Sequence, residues 1–512
     1  MYVGGAFQYP YLENDDPWDH ALSVKYISLE KTVYEPQNFD FQYIDPYPPG
    51  YDLLMGILHQ TAPSLNWTLK FFNGLIISLG ILFFYFFAKI FTGDKNKALF
   101  STFILAALPS YFTHFIWALS LSIMLFFPAI YCLEMIKRDK KWIYPSMVVI
   151  SSILLIHPSQ SIKIGIMFGV YWLVKAIIEK NLLKEILIAE IGGLLLSFIW
   201  WIGKWKSMFL SQIRISDIDI TTSTTFFSKI QSAFSPTMGT ATRSYTFNDF
   251  FITKPFGGIN IHLGWGVFIT FLLLIGIVYS LLKYKNLLKK DRIWITITLL
   301  WFVFTFLGTN SMTFNLPIGL FAFRFWLLLA VPVALLSSLG LWSLFKLTKK
   351  FKIPYLLVLF IILIGVISTA GYQKYNQNHN AVWPPGVFWT SNEELQGYIW
   401  LTTLPIDTKV FTYSTTDKPI IGFDKYSCEW CSNVIDFRKN ILDKNLTQVY
   451  NFLKTNKYQY IVISGLSYKH LGRQYGENKT KTSFDNLFKN LQNSTRFESS
   501  YQTQSVIILK VI

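Results

Sequence analysis

Ten apolar stretches, most of them close to the length a bilayer demands, restrict this chain to one broad class of fold; they lie near 69–92, 97–110, 115–136, 142–157, 160–179, 184–204, 262–284, 292–309, 319–345 and 353–372. A helix that crosses the hydrocarbon core needs about 20 mostly apolar residues. Helices suit that solvent because their amides and carbonyls bond one another where no water is available. The composition, 52% hydrophobic, 18% aromatic and 15% charged with a mean hydropathy of +0.35, is far from that of a soluble domain of this length. The expected fold is an α-helical polytopic membrane protein of about 10 spans. The second and fourth stretches are short, with Pro109 and Pro145 in or beside them, so the count carries a margin of one or two.

Basic residues fall in alternate connections: Lys95 and Lys97; Lys137, Arg138, Lys140 and Lys141; Lys180 and Lys184; the run from Lys283 to Arg292; and Lys346 to Lys352. Such loops are cytoplasmic in a membrane protein. The turns at 110–114, 157–160 and 309–318 contain no Lys, Arg, Asp or Glu and carry only His114 and His157, so they face outside. The same alternation puts four larger pieces on the outer side: an acidic loop 1–66, a polar loop 205–261, the start of the span at Arg324, and the tail 373–512. The expected location is the plasma membrane, with the active site on the extracytoplasmic face. Much of the net charge of +16 is this topology signal and calls for no nucleic acid partner. Residues 1–66 would cross with no signal peptide and no helix before them, so a further span ahead of Met1 is expected.

The tail reads as a separate soluble α/β domain, with strands near 408–413, 460–463 and 506–509 alternating with helices near 440–455 and 483–491. It contains no glycine-rich phosphate loop, and its plainest role is a lid or docking module. Cys428 and Cys431 flank Glu429-Trp430 on the outer side, where a local disulfide is expected. Zinc would want two more ligands, and the nearest downstream histidine is His470. Cys132, within a span, reads as a small buried hydrophobe.

Chemistry concentrates in the first loop, where nine Asp or Glu stand against two Lys between Met1 and Trp67. Asp15 and Asp16 adjoin Pro17-Trp18. Adjacent carboxylates repel, which raises one pKa unless a cation or metal intervenes. That suits a general base for a hydroxyl acceptor, or ligands for a divalent ion such as Mg or Mn on a phosphate. The alternative is structural: an acidic cap on a helix from Pro17 to Ile27. Tyr47-Pro48-Pro49-Gly50 is a rigid turn that would hold Tyr47 and Asp45 near the acidic pair. His157 and His114, at helix ends, are candidate donors to a lipid phosphate. Arg324 lies just inside an apolar span, where a charge costs a few kcal/mol and is usually functional. In the 205–261 loop Asp217, Asp219, Arg243 and Asp249 are weaker candidates.

These residues resemble the GT-C superfamily of polytopic membrane glycosyltransferases, which take a sugar from a polyprenyl-phosphate donor on the outer face. Asp15-Asp16-Pro17-Trp18 resembles the first-loop acidic motif, including the Asp-Pro-aromatic run of oligosaccharyltransferase catalytic subunits. Tyr47-Pro48-Pro49-Gly50 resembles the Tyr-Pro-Pro-Gly of the protein mannosyltransferase and lipid A aminoarabinose transferase branch, and Arg324-Phe325 an Arg-Phe at the start of a late oligosaccharyltransferase helix. The chain departs from oligosaccharyltransferases at 411–417, where their Trp-Trp-Asp-Tyr-Gly is absent, and at 109–114, which lacks a second acidic motif. The resemblance implies transfer of a hexose or pentose to a lipid, glycan or protein acceptor. Asp15 or Asp16 would be the base, with Arg324 and His157 on the departing phosphate. Two rival readings are a flippase of lipid-linked sugars, for which Lys163 is an intramembrane candidate, and a non-catalytic envelope protein.

Overall fold

The computed structural model describes the chain apart from residues 14, 37, 45–46, 215–234, 236–242, 254, 257–260, 284–288, 290–291 and 381–388. Asp45, Asp217 and Asp219 therefore lie outside the described residues.

Among the described residues five helices are long and apolar enough to cross a membrane: Leu65–Thr92, Pro158–Glu179, Lys184–Lys204, Ala322–Lys350 and Tyr355–His379. Three shorter apolar helices, Leu119–Met135, Val267–Leu282 and Ile293–Thr309, accompany them. The stretches expected at 97–110 and 142–157 fold as helices of 13 and 12 residues, Lys95–Ala107 and Ile143–Leu154. At 1.5 Å per residue each spans about 20 Å, short of a ~30 Å hydrocarbon core. Length and composition thus support a multi-pass helical membrane protein without yielding ten crossings. Helix Phe325–Lys350 lies at the centre: 89% of its apolar window is buried, against 22% for Lys184–Lys204. Its ring of neighbours includes Val267–Leu282, Ile293–Thr309 and Lys95–Ala107.

About half of the segment read as an outer loop is helical. Asp15–Glu30, hereafter the acidic helix, opens on Asp15 and Asp16 with Pro17 in its first turn. Carboxylates suit an N-terminus, where free amides leave partial positive charge. Proline is tolerated there because its missing N–H had no intrahelical partner. A second helix, Gly50–His59, packs beside it before the first long helix begins at Leu65.

A two-residue ladder, β1 (Pro255–Phe256) and β2 (Ile261–His262), lies midway along the chain, and a four-stranded sheet follows in the last third. Strands β3 (Val410–Thr412), β4 (Tyr460–Ser464), β5 (Phe497–Gln502) and β6 (Val506–Val511) are ordered β3-β4-β6-β5. β3 and β4 run parallel, and the other pairs antiparallel. Cys428 and Cys431 form a disulfide.

This tail grips the acidic helix at several points. Lys418 ion-pairs with Asp19. Asp407 accepts from Lys25 at 2.7 Å, and Trp430 Nε1 donates to Glu30 at 3.0 Å. Gly422 lies under Trp18, where a Cβ would come within 2.2 Å of the indole. Asp424 reaches the start of the first long helix, accepting from Leu65 N at 2.5 Å, Asn66 N at 3.0 Å and Ser64 Oγ at 2.6 Å. An anion capping a helix N-terminus is stabilised by the free amides and the dipole together.

Candidate active site

Four of the residues singled out from the sequence lie along one continuous line of contacts. Asp16 Oδ1 accepts from the Tyr43 hydroxyl at 2.7 Å. The Tyr43 ring meets Tyr47 edge-on at 5.3 Å, and Tyr47 meets His157 in the same manner at 5.4 Å. His157 Nε2 then accepts from Arg324 Nη1 at 2.9 Å. A guanidinium only donates, so Nε2 is the acceptor of a neutral ring there, while Nδ1 faces the Gln160 backbone N–H at 3.4 Å at the start of helix Pro158–Glu179. Nδ1 also lies 3.3 Å from Ser159 Oγ. Burial first, and then the charges of Arg324 and Lys163, hold His157 well below the ordinary imidazole value, in keeping with that neutral form.

The Pro-Pro-Gly turn sets this line in position. Gly50 N–H donates to the Leu155 carbonyl at 2.9 Å, and a Cβ on Gly50 would stand 2.5 Å from the same oxygen. Only glycine lets the turn dock this closely, and it docks two residues before His157.

Behind Tyr43 stands a buried pair. His20 stacks on Tyr43 at 3.9 Å with an interplanar angle of 20°, and its Nδ1 lies 2.7 Å from Asp52 Oδ1. Both are buried, and desolvation raises the Asp52 carboxyl while His20 and Ser23 oppose it. Spacing could not have revealed this pair, which spans 32 residues.

At the acidic end, Asp15 is exposed and Asp16 half-buried. Desolvation, followed by repulsion from Asp19 and Asp16, raises the Asp15 carboxyl, with Lys418 and Lys469 acting against it. Burial likewise raises Asp19, its partner Lys418 opposing. Desolvation weakens the Lys418 ammonium, but Asp19, Glu429 and Asp15 outweigh it and hold the lysine above its usual range.

At the other end a second cation joins Arg324 beside the neutral His157 ring. Lys163 is fully buried, its Nζ 3.4 Å from both Gln160 Oε1 and the Phe321 carbonyl and 4.5 Å from the centre of the Phe325 ring. Arg324 sits over the Phe321 ring at 4.7 Å. No ion pair joins Arg324 or Lys163 to a carboxylate among the described residues. The sequence did carry a signal for Lys163: His157, Gln160 and Lys163 recur every three residues at the start of one helix, and so share a face.

His114 makes its contacts elsewhere. Its Nε2 lies 2.7 Å from the Tyr9 hydroxyl, which donates to Glu13 at 2.6 Å, while Lys70 donates to the Tyr9 carbonyl at 2.5 Å. Burial lowers His114 to about 4 and raises Glu13, whose charge Lys70 and Tyr9 favour. Arg243 pairs with Asp249 at 2.7 Å, and Asp249 also caps its own short helix at Thr246. Among the described residues no group of three or more His, Cys, Asp or Glu side chains is arranged to hold a metal ion.

No family model matches the sequence, and no curated protein matches it. Among solved structures, the chain resembles ArnT from Cupriavidus metallidurans bound to undecaprenyl phosphate, with a TM-score of 0.53 at 11% identity, covering 100% of this chain and 96% of that one. The fold is that of ArnT. The same protein in the apo state matches with a TM-score of 0.51 at 11% identity and the same coverage. The likeness to ArnT runs the whole length of the chain.

Proposed function

We propose that the chain is a membrane glycosyltransferase that moves a sugar from a polyprenyl-phosphate donor to a lipid, glycan or protein acceptor at the outer membrane face. The observation that carries this reading is the line from Asp16 through Tyr43 and Tyr47 to His157 and Arg324, with Lys163 beside them. One end offers carboxylates, and the other two cations, Arg324 and Lys163, that pair with no carboxylate among the described residues. The ArnT fold, seen in that protein with undecaprenyl phosphate bound, supports the same choice of donor. The finer topology belongs to this proposal: about ten crossings, the domains 1–66, 67–372 and 373–512, and an outward-facing site.

In the reaction, the acceptor hydroxyl attacks the anomeric carbon as the bond to the phosphate oxygen breaks. Asp15 or Asp16 takes or orients the hydroxyl proton. The raised pKa of Asp15 brings it nearer the range of a working base. Arg324, Lys163 and the His157 ring face the charge that grows on the departing phosphate, in a low-dielectric setting where such contacts count most. Asp19 is held by Lys418, so Asp15 and the second Asp16 oxygen are the carboxylate oxygens that would hold a Mg or Mn ion. Such an ion would supply neutralising charge, and no step above depends on it. Lys163, which stood for the flippase reading, contacts Phe321 and Phe325 beside Arg324 and so belongs to this cation cluster.

The test is transfer from radiolabelled polyprenyl-phosphate sugars in membranes holding the chain, comparing the wild type with Asp15→Asn/Asp16→Asn. Label should reach lipid, glycan or protein only with the pair intact. Transfer indifferent to the pair would overturn the site assignment, and acceptor-independent movement of donor would favour a flippase.

A further inference from the structure

Away from this line of contacts, the tail has a cavity of about 580 Å³ where β3 and β4 begin and β6 ends. Four lysines line it: Lys409 ahead of β3, Lys454 and Lys457 at the end of helix Leu446–Thr455 and the turn after it, and Lys510 in β6. They come from three separate parts of the sequence, yet rigid backbone sets each of them. Val410, Tyr460 and Lys510 occupy one rung across β3, β4 and β6. Gln459 ties the neighbouring residues together, its N–H donating to the Lys409 carbonyl at 2.8 Å and its side chain accepting from Lys409 N at 3.2 Å. The Lys454–Lys457 turn is closed by N–H donation from Lys457 to Lys454 at 3.0 Å and from Tyr458 to Leu453 at 2.8 Å.

The electrostatics are one-sided. Three of the other lysines of the tail have carboxylate partners: Lys418 with Asp19, Lys439 with Asp436, Lys479 with Asp443. None of the four cavity lysines makes an ion pair among the described residues, and no carboxylate lines the cavity. Glu498 faces Lys510 across the β5–β6 ladder, but the two form no ion pair. Lys409 and Lys454 lie over the Tyr426 and Tyr450 rings at 5.1 and 5.8 Å. Four ammonium groups around one opening repel one another, and an anion of charge two or more relieves that repulsion. Lysine presents compact point charges suited to phosphate, and the volume falls within the range of small-molecule sites.

We infer that this cavity is a binding site for a phosphate-bearing ligand, either a soluble phosphorylated saccharide or the head group of an anionic lipid. The inference does not rest on the transferase reading.

The probe is inorganic pyrophosphate, titrated calorimetrically into the full chain in neutral phosphatidylcholine nanodiscs at about 0.15 M ionic strength, where surface charges further apart than about 8 Å are screened. Saturable binding is expected, weakened at least tenfold in Lys409→Gln/Lys457→Gln/Lys510→Gln and unchanged in Lys439→Gln/Lys479→Gln. These side chains are partly or fully exposed, and an unaltered melting curve shows that the triple variant is folded. Should that variant fail to fold, Lys457→Glu alone, at the turn, must weaken binding. Repeating the titration with phosphatidylglycerol in the bilayer separates the two sources: competition identifies a lipid head group, and none a soluble ligand. Absence of saturable binding by the wild type, or equal loss in both lysine sets, overturns the inference.

Discussion

Removing His20 should damage the chain far more than removing His20 and Asp52 together. Asp52 is 1% exposed, and its Oδ1 lies 2.7 Å from His20 Nδ1. In His20→Ala the carboxyl keeps its burial and loses this partner; breaking a buried pair in this way costs about 3–5 kcal/mol. Loss of the His20–Tyr43 stack adds about 0.5–1.5 kcal/mol. In His20→Phe/Asp52→Leu an aromatic ring again meets Tyr43 and no charge is stranded, so the cost should fall to about 1–2 kcal/mol, since apolar replacement of buried pairs is often close to neutral. The losses of His20→Phe and Asp52→Leu taken singly should therefore sum to more than the loss of the double variant, a coupling visible only in a double-mutant cycle.

The pH dependence sharpens the test. Burial raises the Asp52 carboxyl and His20 opposes it, so without His20 it rises further. An acid whose folded pKa lies above its unfolded value of about 3.9 favours the protonated folded state. Its stability contribution is present in acid and is lost as the pH rises through the folded pKa. The deficit of His20→Ala should therefore be smallest in acid and grow as the pH rises, while the double variant stays flat. Thermal unfolding of the detergent-solubilised chain, followed by tryptophan fluorescence, reads both effects. A deficit independent of pH, or strictly additive single variants, would refute the reasoning.

Arg324→Gln should lower sugar transfer by about 10²–10³, mainly in kcat, as loss of one oxyanion donor does; unchanged turnover would remove the leaving-group role. Burial first, and then the Asp417 charge, push the Glu429 carboxyl up to about 7 against Arg438. The stability this group contributes below its unfolded pKa is lost as the pH rises through about 7. Glu429→Gln should thus match the wild type near pH 4, below the unfolded glutamate value of about 4.3, and melt higher above pH 7, and a variant that melts lower at every pH would contradict this. Lys418→Met leaves the buried Asp19 carboxylate unpaired, so the tail should loosen from the acidic helix; limited proteolysis should cut near 404–431 faster than in the wild type, and an unchanged pattern would show that Asp424 and Trp430 suffice to hold it.

What the sequence disclosed was local. Apolar runs became helices because hydropathy and period act within a single element, and Pro17 after two aspartates marked a helix start through the backbone itself. The acidic pair, the Pro-Pro-Gly turn, His157 and Arg324 stood out for the same reason: each is costly or restricted where it stands, whatever surrounds it. Their neighbours stayed hidden because partnership is set by packing. Tyr43 looked like one aromatic among many, and His20 and Asp52 are ordinary residues until two helices bring them within 2.7 Å.

Asp424 makes the point most plainly. Its sequence neighbours describe a polar turn, yet it supplies the anion for a helix more than 350 residues earlier, at Ser64, Leu65 and Asn66. That bond could be expected in kind, because free amides at a helix start require acceptors. The donor of those acceptors could not be named without the fold. The same holds at the cation cluster. A lysine inside an apolar helix announces that something must compensate it, and among the described residues Lys163 meets a carbonyl, an amide and an aromatic ring, but no carboxylate. Neutral contacts of this kind leave the charge only partly balanced, which is the condition under which an anionic substrate gains most by arriving.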